Sequence, residues 1–154
     1  MKIRTRSRYA VRALLELALH YGEGPLMMQI IAENQGVSRK YLDAIFASLK
    51  SAGLVRSRRG AGGGHLLAKD PADIDLGDVF RALDGPVALV DCVADPEICS
   101  RSHRCVTKTV WTEVSKAIEK TLSSFTLADL VREHHELEHG SCPTNTPIAG
   151  ILDD

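Results

Sequence analysis

The chain has 154 residues, of which 44% are hydrophobic, and a formal net charge of −1. This size allows one ordinary hydrophobic core with a small additional element. The nearly neutral total conceals a segregation of charge. Residues 1–65 contain eleven Lys or Arg against four Asp or Glu, whereas the remaining residues contain eight against sixteen. A basic half beside an acidic half favours contact with nucleic acid.

Several classes of protein are excluded by pattern. No apolar run is long enough to cross a membrane, and Arg12 and Glu16 interrupt the first apolar stretch, unlike a signal peptide. The glycine-rich phosphate-binding and dinucleotide-binding signatures do not occur. We therefore expect a cytoplasmic protein that is not an enzyme, with no membrane partner and no small-molecule substrate.

Three helices are predicted in the first half. Apolar residues recur at three- and four-residue spacing over residues 4–21 and again over residues 27–34. Gly36 then provides a turn, and Ser38 is a suitable N-cap for a third helix that runs to about Ala52. The apolar stripe of the third helix is formed by Tyr41, Leu42, Ile45, Phe46 and Leu49. Two short helices around a glycine turn are typical of a helix-turn-helix.

A β-hairpin is predicted directly after the helix-turn-helix. Residues 54–59 and 65–68 have strand character, and the glycines of residues 60–64 allow a tight reversal between them. Asp75 is the expected N-cap of a further helix over residues 76–83. This order of elements is the winged helix-turn-helix.

The second half begins with a cysteine loop at residues 91–105, followed by a long helix over residues 106–121 and a shorter one over residues 126–138. The apolar stripe of the long helix is Val106, Val110, Val114, Ala117, Ile118, Leu122 and Phe125, with Trp111 beside it. Little of the chain remains to cover this stripe, so it suits pairing with the same helix of a second copy.

The predicted fold class is mainly α with a small β-hairpin wing. We expect a winged helix-turn-helix DNA-binding domain at residues 1–85 and a cysteine loop with a long dimerisation helix at residues 86–140. Residues 141–154 contain turn formers and few apolar anchors, and are expected to form a mobile tail.

Basic residues of the third helix and the wing are candidate DNA contacts. Arg39 and Lys40 begin the helix that would enter the major groove. Asp43, one turn later, could accept a hydrogen bond from cytosine or pair with a neighbouring lysine. Arg59, at the wing tip, suits the narrow and strongly negative minor groove. The complete predicted DNA-binding set is Ser38, Arg39, Lys40, Tyr41, Asp43, Arg56, Arg58, Arg59 and Gly60.

Cys92, Cys99 and Cys105 fall within fourteen residues. In a reducing compartment such a group favours metal binding or thiol chemistry over structural disulfides. The intervals of six and five residues are wider than those of common zinc sites and differ from the ferredoxin runs. The spacing alone leaves an iron–sulfur cluster, a zinc ion and a thiol switch open.

Five motifs together resemble the Rrf-two family of bacterial winged-helix transcriptional regulators, and in particular its iron–sulfur regulators. They are RYAVR at residues 8–12, QGVS at 35–38 followed by YL at 41–42, GLVR at 53–56, RGAGGG at 59–64, and LADL at 127–130. The resemblance implies a homodimer with crossed C-terminal helices and two DNA-binding heads on a double-stranded operator. It also places Arg59 in the minor groove, with Lys40 and Asp43 as base-contacting residues.

The same resemblance implies an iron–sulfur cluster held by Cys92, Cys99 and Cys105. A 2Fe–2S cluster is favoured, and a 4Fe–4S cluster remains an alternative. Lys108 occupies the position where these regulators have a ligand histidine, and Arg8 occupies the position where other members have a ligand acid. The remaining candidates for a fourth ligand are His103, Cys142, Glu33, Asp91 and Glu97.

The function expected from the sequence is therefore transcriptional regulation, in which a cluster in the cysteine loop controls operator affinity and senses iron–sulfur status, redox state or nitric oxide. The alternative of the same fold is a cluster-free regulator switched by its thiols or by zinc. A small redox enzyme or electron carrier is the alternative from another class, but it does not explain why the first half of the chain is basic.

Overall fold

A computed structural model describes residues 3–140. The predicted tail and Cys142 lie outside these residues. The described elements, in chain order, are α1 (Thr5–Leu19), α2 (Met28–Gln35), α3 (Arg39–Ser51), β1 (Val55–Arg58), β2 (Gly64–Leu67), α4 (Leu76–Asp84), α5 (Asp91–Ala94), α6 (Val106–Ser123) and α7 (Leu127–Glu138). Short 3-10 turns lie at Pro71–Asp73, Pro96–Ile98 and Ser102–Arg104. The predicted helices and the hairpin are confirmed, with ends that differ by a few residues.

The hydrophobic core lies between α1, α2, α3 and α4. Ala10 and Ala13 on α1 are fully buried, and such small side chains allow the neighbouring helices to approach closely. Four of the five apolar positions predicted for α3 are buried, but Tyr41 is 37% exposed and does not belong to that stripe. Leu127, the first residue of α7, is also fully buried in this core.

Local sequence signals set the helix-turn-helix as expected. Gly36 ends α2 with φ at 62°, a left-handed conformation that glycine adopts without strain. The Ser38 hydroxyl accepts a hydrogen bond from the backbone N–H of Tyr41 at 3.3 Å, which caps the start of α3. Asp75 caps α4 in the same way, accepting from the N–H of Asp78 at 2.8 Å.

The wing is an antiparallel hairpin whose second strand also pairs with Leu26, since His65 and Leu26 exchange backbone hydrogen bonds of 2.8 and 2.9 Å. Its register runs from Val55 opposite Leu67 to Arg58 opposite Gly64, and only the first of these pairs is buried. At Gly63 a Cβ atom would collide with the carbonyl oxygen of Arg58, so the turn accepts no side chain there. The turn residues Arg59 to Gly62 are exposed, which leaves the basic tip of the hairpin uncovered.

Helix α6 is clamped to the body at its C-terminal end. The N–H of Leu76 donates to the carbonyl of Phe125 at 2.9 Å, and the N–H of Leu127 donates to that of Ile74 at 3.0 Å. Arg81 on α4 extends the clamp, donating to Asp78 of its own helix at 2.7 Å and to Glu119 of α6 at 2.8 Å.

The opposite half of α6 carries an uncovered apolar face. Four of its side chains are strongly exposed, namely Val106 at 85%, Val110 at 54%, Trp111 at 41% and Val114 at 40%. Ser115 is the only residue of this helix classed as buried. Among residues 3–140, no helix is both long enough and apolar enough to cross a membrane.

Candidate DNA interface and cysteine centre

Helix α3, the second helix of the helix-turn-helix and the predicted recognition helix, presents a polar edge at its first turn. Arg39, Lys40 and Asp43 are all exposed, because the buried face of α3 lies on the opposite side. Arg39 Nε lies 3.9 Å from an Asp43 carboxylate oxygen, a separation of one helical turn. The acid therefore pairs with Arg39 in the free chain rather than with a lysine. If Arg39 and Asp43 contact DNA bases, the ion pair between them must first break.

Tyr41 is held at the edge of this surface by aromatic contact. Its ring meets that of Tyr9 edge to face, with centroids 6.0 Å apart, and the Arg12 guanidinium lies 5.5 Å from the Tyr9 centroid. Arg12 Nε in turn donates to Gln35 at 2.8 Å. This chain of contacts joins α1 to both helices of the helix-turn-helix. It also explains why Tyr41 leaves the core.

The wing arginines differ in how far they are tied to the hairpin. Arg56 Nε donates weakly to the carbonyl of Leu67 at 3.4 Å, and Arg58 donates to that of Gly62 at 3.3 Å. Arg59 is exposed and forms no ion pair within the described part of the chain. The next residue, Gly60, turns the chain with φ at 97°. The charge at the tip is therefore fully available to a ligand.

His65 connects the wing to the recognition helix and was not among the predicted residues. Its ring meets Phe46 of α3 with centroids 4.8 Å apart, and its Nδ1 lies 3.3 Å from the Ser57 hydroxyl across the hairpin. Partial burial lowers the pKa of His65, and the nearby Lys50 acts in the same direction. Nothing local marks this histidine, because its contacts come from a distant helix.

The cysteine loop contains more regular structure than the prediction of a plain loop. Cys92 lies in α5, Cys99 follows the 3-10 turn Pro96–Ile98, and Cys105 immediately precedes α6. All three thiols are free and half-buried. Within residues 3–140, however, no three His, Cys, Asp or Glu side chains come together at metal-binding distance. The thiols are therefore close in sequence but have not converged on one point.

Cys105 has the chemistry of a metal-binding thiol. Its sulfur lies 3.2 Å from the Thr107 hydroxyl, and this contact lowers the pKa of the thiol. The backbone N–H groups at the start of α6 and the ammonium of Lys108 lower the pKa further. The thiolate is the form that binds metals.

Lys108 has a structural role and is not a metal ligand. Its ammonium donates a hydrogen bond of 2.5 Å to the hydroxyl of Ser102, which is only 5% exposed. The first turn of α6 is thereby tied to the 3-10 turn Ser102–Arg104. A protonated amine has no lone pair for a metal, so this chain uses the position to fasten the loop.

The candidates for a fourth ligand are dispersed. His103 is exposed in the turn beside Cys105, and Asp91 and Glu97 are exposed elsewhere in the loop. Glu33 lies on α2 in the helix-turn-helix, where Gln29 donates to it at 2.6 Å. None of these residues joins the cysteines in a group of three within the described residues.

The donor set of the loop fits an iron–sulfur cluster in ligand type and supplies three of its four ligands. Such clusters bind cysteine thiolates, and the loop offers three that are committed to no disulfide. The three thiols must approach one another to bind one cluster, and a loop of short turns allows this movement.

Comparison with known proteins shows which family this chain resembles. The family model described as "Rrf2: Iron-dependent Transcriptional regulator" matches residues 3–133. The chain is 43% identical to protein Rrf2 of Nitratidesulfovibrio vulgaris, over 94% of this chain and 93% of that relative.

Two solved structures are also similar. IscR of T. potens has a TM-score of 0.74 and 42% identity, covering 90% of this chain and 91% of that one. CymR, the global cysteine regulator of B. subtilis, has a TM-score of 0.71 and 36% identity, covering 86% and 98%. These matches confirm the predicted fold class and the prediction that the protein is not an enzyme. The chain belongs to the Rrf2 family of transcriptional regulators.

Proposed function

We propose that this regulator binds its operator as a homodimer and that an iron–sulfur cluster on Cys92, Cys99 and Cys105 controls its affinity. The observation that carries the proposal is the position of the three free thiols on one short segment that leads directly into α6. When bound, the cluster supplies iron whose ligation responds to oxidants, nitric oxide and iron supply. We favour a 2Fe–2S cluster over a 4Fe–4S cluster, as the resemblance of the sequence motifs to the iron–sulfur regulators of the family implies.

The uncovered apolar face of α6 supports the homodimer. Four large side chains, from Val106 to Val114, project from one side of the helix without a partner in the chain. Contiguous exposed apolar surface of this kind marks an interaction site. In a two-fold dimer the same face of the partner helix covers it, so that the two α6 helices cross.

The proposed DNA contacts follow from the exposed basic residues of each head. Lys40, Arg39 and Asp43 lie at the first turn of α3 for the major groove, with Ser38 and Tyr41 beside them. Arg59 and Gly60 form the wing tip for the minor groove, and Arg56 and Arg58 flank the tip. Two heads on one dimer then contact two successive major grooves.

The chain's own contacts provide a route from the loop to the DNA-binding head. Ligand binding requires the loop to contract, and Lys108 and Ser102 transmit that movement to the first turn of α6. Ser115 accepts a hydrogen bond from the N–H of Leu89 at 3.1 Å and ties the preceding segment to the same helix.

The far end of α6 transmits this movement to the head. The helix has 18 residues and is about 27 Å long at about 1.5 Å per residue. Its C-terminal end is clamped to α4 by Arg81 and Glu119, and α4 packs against the recognition helix. A change in the crossing angle of two α6 helices therefore rotates the heads relative to each other, which alters the spacing of the two recognition helices.

The second candidate is a cluster-free regulator switched by its thiols or by zinc. The lowered pKa of Cys105 supports the thiol switch, because the thiolate is the reactive form of cysteine. The similarity to a structure named as a cysteine regulator is consistent with it.

Operator binding by anaerobic and chelator-treated protein tests the proposal. The operator is isolated from a random duplex library with the protein itself, and affinity is measured by fluorescence anisotropy. We expect the affinity of the wild type to change when iron is removed, and the Cys92→Ser, Cys99→Ser, Cys105→Ser variant to show no such change. Metal analysis of the DNA-binding form distinguishes the two candidates. Zinc, or no metal, in protein whose operator affinity still switches would support the second candidate.

A further inference from the structure

We propose that the last turn of α7 carries a second transition-metal site, formed by the imidazoles of His135 and His139. The two residues are separated by four positions, which places them on one face of the helix, one turn apart. Zinc-binding helices use the same spacing for paired histidine ligands. This inference is independent of the cysteine loop and of the proposed function.

The tautomer of His139 is fixed by its backbone contact. Its Nδ1 lies 2.7 Å from the carbonyl oxygen of His135. A carbonyl oxygen only accepts hydrogen bonds, so Nδ1 must carry the proton, and the lone pair of the neutral ring lies on Nε2. Metal-binding histidines typically donate their other ring N–H to a carbonyl or carboxylate in this way, which fixes the orientation of the ring.

His135 is less constrained than His139. Its Nδ1 lies 3.9 Å from a carboxylate oxygen of Glu138, which is beyond hydrogen-bond distance, and its side chain is 57% exposed. Both imidazoles line one open groove on the surface of α7, together with the carboxylate of Glu136. Arg132 also borders the groove, but Asp129 binds its guanidinium at 2.8 Å. A hydrated divalent ion can therefore reach both rings.

The chemistry of the site selects borderline divalent ions. Imidazole suits Zn²⁺, Ni²⁺ and Cu²⁺ better than Mg²⁺ or Ca²⁺. No third His, Cys, Asp or Glu joins the pair at ligand distance in residues 3–140, so water completes the coordination. An ion that bridges two residues one turn apart binds only the helical form, and it stabilises the end of α7 by linkage.

His134 provides a matched control on the same helix. It is adjacent to His135 in sequence, but its Nε2 lies 3.4 Å from Glu138 Oε1, so its outer nitrogen is engaged. Replacing it by Ala removes one imidazole, as does replacement of His135 or His139, but it leaves the proposed pair intact.

The test is a calorimetric titration of the full-length chain with Ni²⁺. All four cysteines are replaced by Ser so that no thiol binds the ion, and circular dichroism verifies the fold of each variant. We expect one Ni²⁺ per chain and a metal-dependent rise in Tm. His135→Ala and His139→Ala should each weaken binding about tenfold or more. His134→Ala should leave it within a factor of about two.

Two results would overturn the inference. One is the absence of saturable binding at millimolar Ni²⁺. The other is an equal loss in His134→Ala and His135→Ala, which would indicate diffuse binding to surface histidines. Either result leaves the proposal for the cysteine loop untouched, because no loop thiol is present in the experiment.

Discussion

Replacing Arg59 by Ala is expected to weaken operator binding and to reduce its dependence on salt. Arg59 lies exposed at the wing tip and forms no ion pair within the described residues, so its full positive charge is available to a DNA phosphate. Arg39 differs, because it must first leave Asp43. One neutralised phosphate contributes about 0.9 to the slope of log K against log salt. The two Arg59 side chains of the proposed dimer are therefore expected to contribute about 1.8 to this slope.

The loss of affinity follows from the same contact. A specific arginine contact contributes about 1–3 kcal/mol, which is a factor of about 5 to 150 for each wing. The assay is fluorescence anisotropy at several salt concentrations, with the selected operator and with a random duplex of equal length. A minor-groove contact that depends on DNA shape predicts a larger loss on the operator than on the random duplex.

Arg132→Ala is the matched control for this experiment. It removes the same charge from an exposed side chain on α7, where Asp129 already pairs with it. We expect Arg132→Ala to retain wild-type slope and affinity. If Arg59→Ala and Arg132→Ala gave the same affinity and the same salt slope, the assignment of the wing tip to DNA would be refuted.

Three further predictions concern stability, thiol reactivity and assembly. Burial lowers the pKa of His65, so the unfolded chain takes up the proton first as the pH falls through about 6.5. The free energy of unfolding by urea should therefore drop more between about pH 7.5 and 5.5 in the wild type than in His65→Gln; an equal drop contradicts this. Thr107→Val should raise the pH at which Cys105 of the metal-free protein reacts with iodoacetamide, because it removes the main contact that lowers the thiol pKa. An unchanged midpoint of the pH profile would argue against that contact. Val110→Glu places two like charges at the proposed dimer interface, which costs several kcal/mol and should give monomers in analytical ultracentrifugation. Lys116→Glu, on the opposite face of α6, should leave the dimer intact, and dissociation of both variants or of neither would count against the interface.

Local sequence signals were sufficient for most of the fold. Ser38 and Asp75 are caps, and each was predicted from residue type and position because capping depends only on neighbouring residues. The exposure of Tyr41 was not predictable in this way. Helical periodicity places it at the margin of the stripe, and the contact with Tyr9 on another helix decides where the ring lies.

The candidate site shows the same division. Residue type and spacing were sufficient to predict the three loop cysteines and the wing arginines as site residues, and these remain predictions. The role of His65 depends on Phe46, which is nineteen positions away in the chain. The tie between Lys108 and Ser102 depends on how the 3-10 turn folds against α6. Sequence patterns contain no information on such contacts, since distant residues create them.

Iron and acid-labile sulfide content, measured on protein purified without oxygen, shows whether the cysteine loop holds a cluster. We expect iron and sulfide in equal amounts together with visible charge-transfer absorption. We also expect both to be lost in Cys92→Ser, Cys99→Ser and Cys105→Ser. Wild-type protein with neither iron nor sulfide, and with the same operator affinity as these variants, would contradict the proposed cluster.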